Sequence, residues 1–384
     1  MANTILILGN GFDIAMGRKT KYTDFIEFEQ RLFTEPDSDL RAFLNSKKIY
    51  IDQYDENVYL KFINENKDRL GENWSNLEIM ISRLVDAMMY LKKHSNELFI
   101  YIGLDSYDFD DVVVDYSNYV AKYFIIQTIN EKIKQTEFNN NEKELLIEKL
   151  QNIFIEELDL LIELLEIYLS YLDYIDFDVQ KIEARPTALN AISDLSTSSV
   201  LNFNYTNTSG YLFGTSEEKT HFIHGRIDLD RTFSRINTMV FGIEDKEINV
   251  NSDLIPYQKY YQRVVKETGK KFEDFFGIRN LKKRDIPGSN LQTIQGTSKN
   301  IVVFGHSVDP LDKEIFQKCF ELTKTRKYNS RFIFTYFDEQ AKRSIVKNLA
   351  IILGKEKLIE LTGKQKIVFI KSNDQDGMKN VLLS

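Results

Sequence analysis

Cysteine is all but missing. Cys319 is the one cysteine in 384 residues, so no intrachain disulfide forms and no cysteine-rich zinc site can be assembled. A reducing compartment is expected. Long apolar runs are missing too: none approaches the ~18 uninterrupted apolar residues of a membrane span. The richest stretch, Leu158 to Leu172, is broken by Asp159, Glu163 and Glu166. The opening Met-Ala-Asn-Thr has no basic region or cleavage site of a secretory signal. A cytoplasmic protein with no membrane partner is expected. Positive charge is in deficit, with 50 Lys and Arg against 58 Asp and Glu and a formal net charge of -8. Nucleic acid, which usually needs a basic face, is therefore not an expected partner. The local exception is Lys282-Lys283-Arg284.

What is present is ordinary globular material, 42% hydrophobic and 28% charged. The length suits one large domain with an insertion, or two domains. Thr4-Ile5-Leu6-Ile7-Leu8 is a continuous apolar run that predicts a strand covered on both faces. Tyr22, Phe25, Ile26 and Phe28 then carry helical spacing, with Thr23 as the expected N-cap. From Trp74 the character changes. Leu77, Met80, Ile81, Leu84, Val85 and Met88 mark one helix face, and a second long pattern runs from Leu145 to Leu172. Strict heptads do not persist, so these are faces of an amphipathic bundle and not a coiled coil.

The α/β pattern resumes near Pro186. Strands are predicted at Ser199–Phe203, His221–Ile223, Ile301–Phe304, Arg331–Tyr336 and Lys366–Ile370, and helices at Ile315–Leu322 and Glu339–Leu353. Tyr257 to Phe276 is a charged helical stretch, and Pro287-Gly288-Ser289-Asn290 a turn. Strands alternating with helices predict an α/β fold, a Rossmann-like parallel sheet with a large all-helical insertion. The expected boundaries are 1–73 and 186–384 for the nucleotide-binding domain and 74–185 for the insertion.

In such a sheet ligands bind beyond the carboxyl ends of the strands. Gly9-Asn10-Gly11-Phe12-Asp13, Asn204-Tyr205-Thr206-Asn207, His224-Gly225-Arg226 and Gly305-His306-Ser307-Val308-Asp309 each follow an apolar run directly. The glycine turn can cradle phosphate. It also serves as a plain strand-to-helix turn, and Ile14 stands where the dinucleotide fingerprint wants a third glycine. Asp13 would repel pyrophosphate unless it caps the helix or accepts from a ribose hydroxyl. His224 is a candidate general base or a histidine satisfied at a strand end. Asn204 and Asn207 either cap a helix or hold a water or ribose hydroxyl. Ser307, Asp309 and Asp312 divide in the same way between capping and nucleoside contacts. Trp74 reads as core and Glu78 as a surface charge. The four histidines show no metal-ligand spacing.

The order of these motifs, from Gly-Asn-Gly-Phe-Asp with Gly17 through Trp74 and Glu78, Asn202-Phe203-Asn204-Tyr205-Thr206 and His224-Gly225 to Gly305-His306-Ser307, resembles the AbiH family of bacterial abortive-infection proteins. More distantly it is similar to the sirtuin-like NAD-binding fold, where Gly9, Gly11 and Gly17 match the spacing of the phosphate-binding glycines. That resemblance implies NAD or a related nucleotide as substrate or ligand, with no further cofactor. It gives Asn204 and His224 catalytic roles, and places Gly9, Asn10, Gly11, Asp13, Gly17, Tyr22, Thr206, Gly305 and Ser307 around the nucleotide. Departures are Thr206 for the sirtuin aspartate, Asp13 for its serine, Lys21-Tyr22 for its Phe-Arg pair, and no four-cysteine zinc module. These departures disfavour protein deacylation.

The expected function is an anti-phage effector that hydrolyses NAD at the nicotinamide–ribose bond. The helical insertion is the expected site of a phage-derived trigger or of homo-oligomerisation. A nucleotide-binding sensor without turnover is the alternative, and a nuclease or an ADP-ribosyl-transferring toxin a more distant one.

Overall fold

The computed structural model describes residues 3–66, 74–94, 116–135, 143–243, 253–269, 271–276, 299–323 and 330–383. The Trp74 side chain, the Lys282-Lys283-Arg284 run and the turn at Pro287 lie outside the described residues. The chain divides into two compact units. Met1–Thr20, Leu172–Ile227 and Thr268–Ser384 form one, and Lys21–Tyr171 with Asp228–Glu267 form the other. The second unit thus begins at residue 21, well before the sequence-based boundary at 74, because its apolar helices begin there.

The first unit is built on six parallel strands: β1 (Asn3–Leu8), β2 (Ser199–Asn202), β3 (Thr220–Phe222), β4 (Lys299–Phe304), β5 (Arg331–Tyr336) and β6 (Ile367–Lys371). Their order is β3-β2-β1-β4-β5-β6. The fold is therefore α/β with the doubly wound Rossmann-like order, and the direction of winding reverses between β1 and β4. Leu8 pairs with Asn202 on one side and Phe304 on the other, which fixes where the strand ends meet.

Both faces of the sheet are covered, which is why its strands read as unbroken apolar runs. Ile5, Ile7, Leu201, Ile301, Val303 and Phe334 pack with Phe316, Cys319 and Phe320 of the helix Lys313–Leu322 and with Ile345 and Leu349 of the helix Glu339–Leu353. Leu6, Leu8, Val200, Val302 and Phe304 pack with Phe12, Met16, Leu189 and Met378. Each such fully buried aliphatic or aromatic side chain contributes about 2 kcal/mol.

The second unit is largely helical. The helix Tyr22–Thr34 starts at Lys21, whose backbone N–H donates to the Asp24 carboxylate at 2.9 Å. Lys21, not Thr23, is thus the N-cap. Phe25 and Phe28 pack on Tyr168 of the helix Lys143–Asp173, and Phe62 packs on Phe124 of the helix Tyr116–Gln135. Buried Glu166 accepts from both Nη atoms of Arg231, from the Asp228 N–H and from Asn237 Nδ2, at 2.7–3.0 Å. Glu78 is not a surface charge: it pairs with buried Lys259 at 2.8 Å.

The stretch Tyr257–Phe276 is two short helices, Lys259–Val265 and Phe272–Phe275, because Glu267 and Gly269 take positive φ between them. No helix among the described residues is long and apolar enough to cross a membrane.

Candidate functional site

At the point where the sheet reverses, the backbones leaving β1 and β4 touch. The Gly9 N–H donates to Phe304 O at 3.0 Å and the Gly11 N–H to Gly305 O at 2.8 Å. A Cβ on Gly9 would come within 2.8 Å of the Gly305 carbonyl and of His306, and one on Gly11 within 2.8 Å of the Gly305 Cα. These glycines are required for the close approach of two strand ends. Their two N–H groups serve that junction inside the protein. Asn10, at the start of the short helix Asn10–Ala15, ties the turn down by donating from Nδ2 to Thr20 O at 3.0 Å. Gly17 follows that helix, with the Arg185 side chain packed over it.

The end of β2 closes on the same turn. Asn202 accepts from the Asn204 N–H at 3.0 Å through Oδ1 and donates from Nδ2 to Thr206 O at 2.8 Å, so it clamps the loop Asn204-Tyr205-Thr206. Asn204 Nδ2 then lies 3.2 Å from Gly9 O and 3.3 Å from Asp13 Oδ1, and Thr206 Oγ1 donates to Asp13 Oδ2 at 2.5 Å. Asp13 is buried to 1% exposure. Burial raises its carboxyl above the usual range, while Arg18 and the bonds from Thr206, Thr208 and Asn204 pull it back down.

Arg18 ties this group to the segment after the long helix. Its Nη1 donates to Thr208 Oγ1 at 2.6 Å, its Nε to Asp176 at 2.7 Å and its Nη2 to Asp173 at 2.5 Å. Asp13 lies 3.8 Å from Nη1. Burial works against the guanidinium charge, but the surrounding carboxylates outweigh it and hold Arg18 protonated beyond its ordinary range. Arg18 is thus shared among the carboxylates of Asp13, Asp173 and Asp176. Burial pushes Asp173 up to about 6 despite Arg18.

A second group stands at the ends of β3 and β4. His224 Nε2 lies 3.1 Å from Asp312 Oδ1, and His306 Nε2 lies 3.5 Å from Asp312 Oδ2. His306 Nδ1 accepts from the Val308 N–H at 2.8 Å. The Phe203 ring meets both imidazoles edge-on, with centroids 5.5 Å from His224 and 4.3 Å from His306. The two groups adjoin, since Gly9 abuts His306 and accepts from Asn204.

The structure therefore brings Gly9, Gly11, Asp13, Asn204, Thr206 and Gly305 into one connected cluster, with His224 and His306 beside it. Ser307 is exposed, and its carbonyl accepts from Asn348 Nδ2. Tyr22 belongs to the helical unit, where it is buried at the start of its helix. Asn207 occupies the N-cap position of the helix Thr208–Phe213 without a capping bond and donates instead to Glu217. Asp309 does cap, accepting from the Leu311 N–H at 3.0 Å.

His221 is structural. Its Nε2 meets Thr268 O, its Nδ1 accepts from the Phe272 N–H, and burial lowers its pKa. Among the described residues no group of three or more His, Cys, Asp or Glu could hold a metal ion. Arg18 is the participant that sequence reasoning did not single out for the site. Asp312, read from the sequence as a cap or a nucleoside contact, makes no capping bond and faces His224 and His306.

Fold and cluster together define a class: a Rossmann-like α/β protein with its buried polar groups gathered at the carboxyl-end switch point of the sheet. The family model described as bacteriophage abortive infection AbiH matches residues 5–336. The chain belongs to that family, and its role is thus in abortive infection by bacteriophage. No curated protein and no solved structure matches it significantly.

Proposed function

We propose that this chain binds NAD or a close nucleotide beside the β1–β4 junction and hydrolyses the bond between nicotinamide and ribose. One observation carries the reading. An amide, a carboxylate, a hydroxyl and two imidazoles meet at the carboxyl ends of adjacent strands in the 3-2-1-4-5-6 order, where doubly wound sheets bind dinucleotides.

Nicotinamide is cationic while bonded to ribose, so it departs as a neutral base without an acid's help. The C1′–N bond breaks, the water oxygen bonds to C1′, and the proton of that water passes to His224. ADP-ribose, nicotinamide and a proton are the products. Asn204 orients the water or the ribose hydroxyl, and Asp13 and Thr206 hold Asn204 in place. The glycines shape the floor of the site, so the phosphates draw on other donors. The trigger that releases this activity during infection would act through the helical unit.

Mass-spectrometric survey of nucleotides incubated with purified protein is the test. The wild type should consume NAD and release nicotinamide. His224→Ala should be slower by 10²–10⁴-fold, the usual worth of a general base, and Asn204→Ala should be impaired as well. Unchanged NAD in the presence of demonstrated nucleotide binding would sink the reading. A non-catalytic nucleotide sensor is the second reading, favoured by the way Asp13, Asn204 and Thr206 already satisfy one another. Calorimetry showing tight binding, with no product after long incubation, decides for it.

A further inference from the structure

Asp312 occupies the N-cap position of the helix Lys313–Leu322, yet its side chain makes no capping hydrogen bond. Capping of the preceding turn is left to Asp309. The Asp312 carboxylate is buried and reaches instead toward two imidazoles, one oxygen to each. The positive end of a ten-residue helix favours an anion there.

His306 has its own orientation fixed. Its Nδ1 accepts a backbone N–H, so the neutral ring carries its proton on Nε2, the atom that faces Asp312. Phe203 packs against both rings, and Phe316 against His306. The groups that meet His224 include the Asp312 carboxylate and, across it, the His306 ring, with Phe203 edge-on to both.

We propose that Asp312 is a positioning residue, held by His306, that orients His224 and stabilises its imidazolium when His224 takes a proton from water. The inference rests on the proposed hydrolysis for its catalytic consequence, but its electrostatic content stands apart from it. The arrangement follows the general rule that a base is itself oriented by a third group. With the carboxylate present, the proton taken from water moves onto His224 while Asp312 stays ionised, so charge is balanced without a second transfer.

Two measurements on the full chain separate this idea from the reading beneath it. The first follows the His224 and His306 ring resonances by NMR against pH in wild type, Asp312→Asn and His306→Gln. Asp312→Asn should lower the His224 pKa by about one unit, since an adjacent carboxylate favours the charged imidazole. A His224 titration unmoved in folded Asp312→Asn overturns the proposal. If that variant does not fold, His306→Gln serves. It should broaden or shift the His224 titration through a displaced Asp312, and no change there also overturns the proposal.

The second measurement is NAD turnover against pH. Asp312→Asn should lower kcat about tenfold or more with KM little changed, and move the acid limb of kcat/KM to lower pH. Asp312→Glu should recover part of the loss. A fall in kcat with an unmoved acid limb overturns the positioning role. If wild type consumes no NAD while the His224 titration still shifts, the Asp312 pairing stands and the hydrolytic reading fails.

Discussion

At Gly305 the chain leaves β4 with φ at +69°, and a Cβ there would collide with the Phe12 backbone nitrogen. Gly214 has a similar φ of +67°, but its nearest outside atom would be 3.9 Å away. The pair separates strain from collision. Gly214→Ala should cost about 1 kcal/mol, the penalty of the left-handed conformation alone. Gly305→Ala adds a backbone clash at the strand junction and should cost about 3 kcal/mol or more. Urea unfolding of the two variants checks this, and equal losses would mean that the β1–β4 junction relaxes freely. Asp312 teaches a related lesson at the same scale. An aspartate ahead of a helix reads as a cap from sequence, and only the folded backbone reveals that its neighbour Asp309 already caps.

At the scale of elements, the connection that matters runs from the turn after β1, through Arg18, to the π-helical turn Tyr174–Val179 and the end of the long helix before it. The Asp173 carboxyl is raised from 3.8 to about 6. Between those values the folded protein binds more protons than the unfolded chain. Its contribution to stability is therefore complete below about pH 4 and is lost as pH rises through about 6. Asp173→Asn mimics the protonated acid at every pH. Wild type should thus lose stability relative to this variant between pH 4 and 6, with a constant difference above, as measured by denaturant unfolding at stepped pH. A difference that stays flat across the window contradicts the assignment.

The strands of this sheet were legible because both faces are buried. The run Thr4–Leu8 and the run Ile301–Phe304 announce themselves without any partner. What pairs with Asp13 was not legible, because Thr206 and Asn204 lie about 190 residues away in sequence. Arg18 gave no signal either. A lone arginine beside a glycine looks like surface until three aspartates, Asp13, Asp173 and Asp176, are folded around it. The break at Glu267 was hidden because a non-glycine residue with positive φ leaves no compositional trace.

For the molecule as a whole, the proposal places the ligand in the sheet-bearing unit. NAD added to His224→Ala, which removes the proposed base but leaves Asn204 and the strand junction, should raise the melting temperature. At a hundredfold excess over its Kd the gain is about 2.7 kcal/mol. Hydrogen exchange should show the added protection at Gly9–Asp13, Asn202–Thr206 and Gly305–Ser307, and protection elsewhere with none at these loops would move the ligand to another place.

The parallel pairing of Asn3 with Lys299 has one more consequence. The chain between Leu8 and Lys299 has to be made before β1 can pair with β4. A growing chain therefore carries Gly9, Asp13, Asn204 and His224 for a long interval without His306 or Asp312 to complete them. The switch-point cluster cannot exist on a ribosome-bound intermediate that stops short of β4. Whatever chemistry it performs is withheld until β4 and the segment through Asp312 have been made, a delay built into a protein of an abortive-infection family.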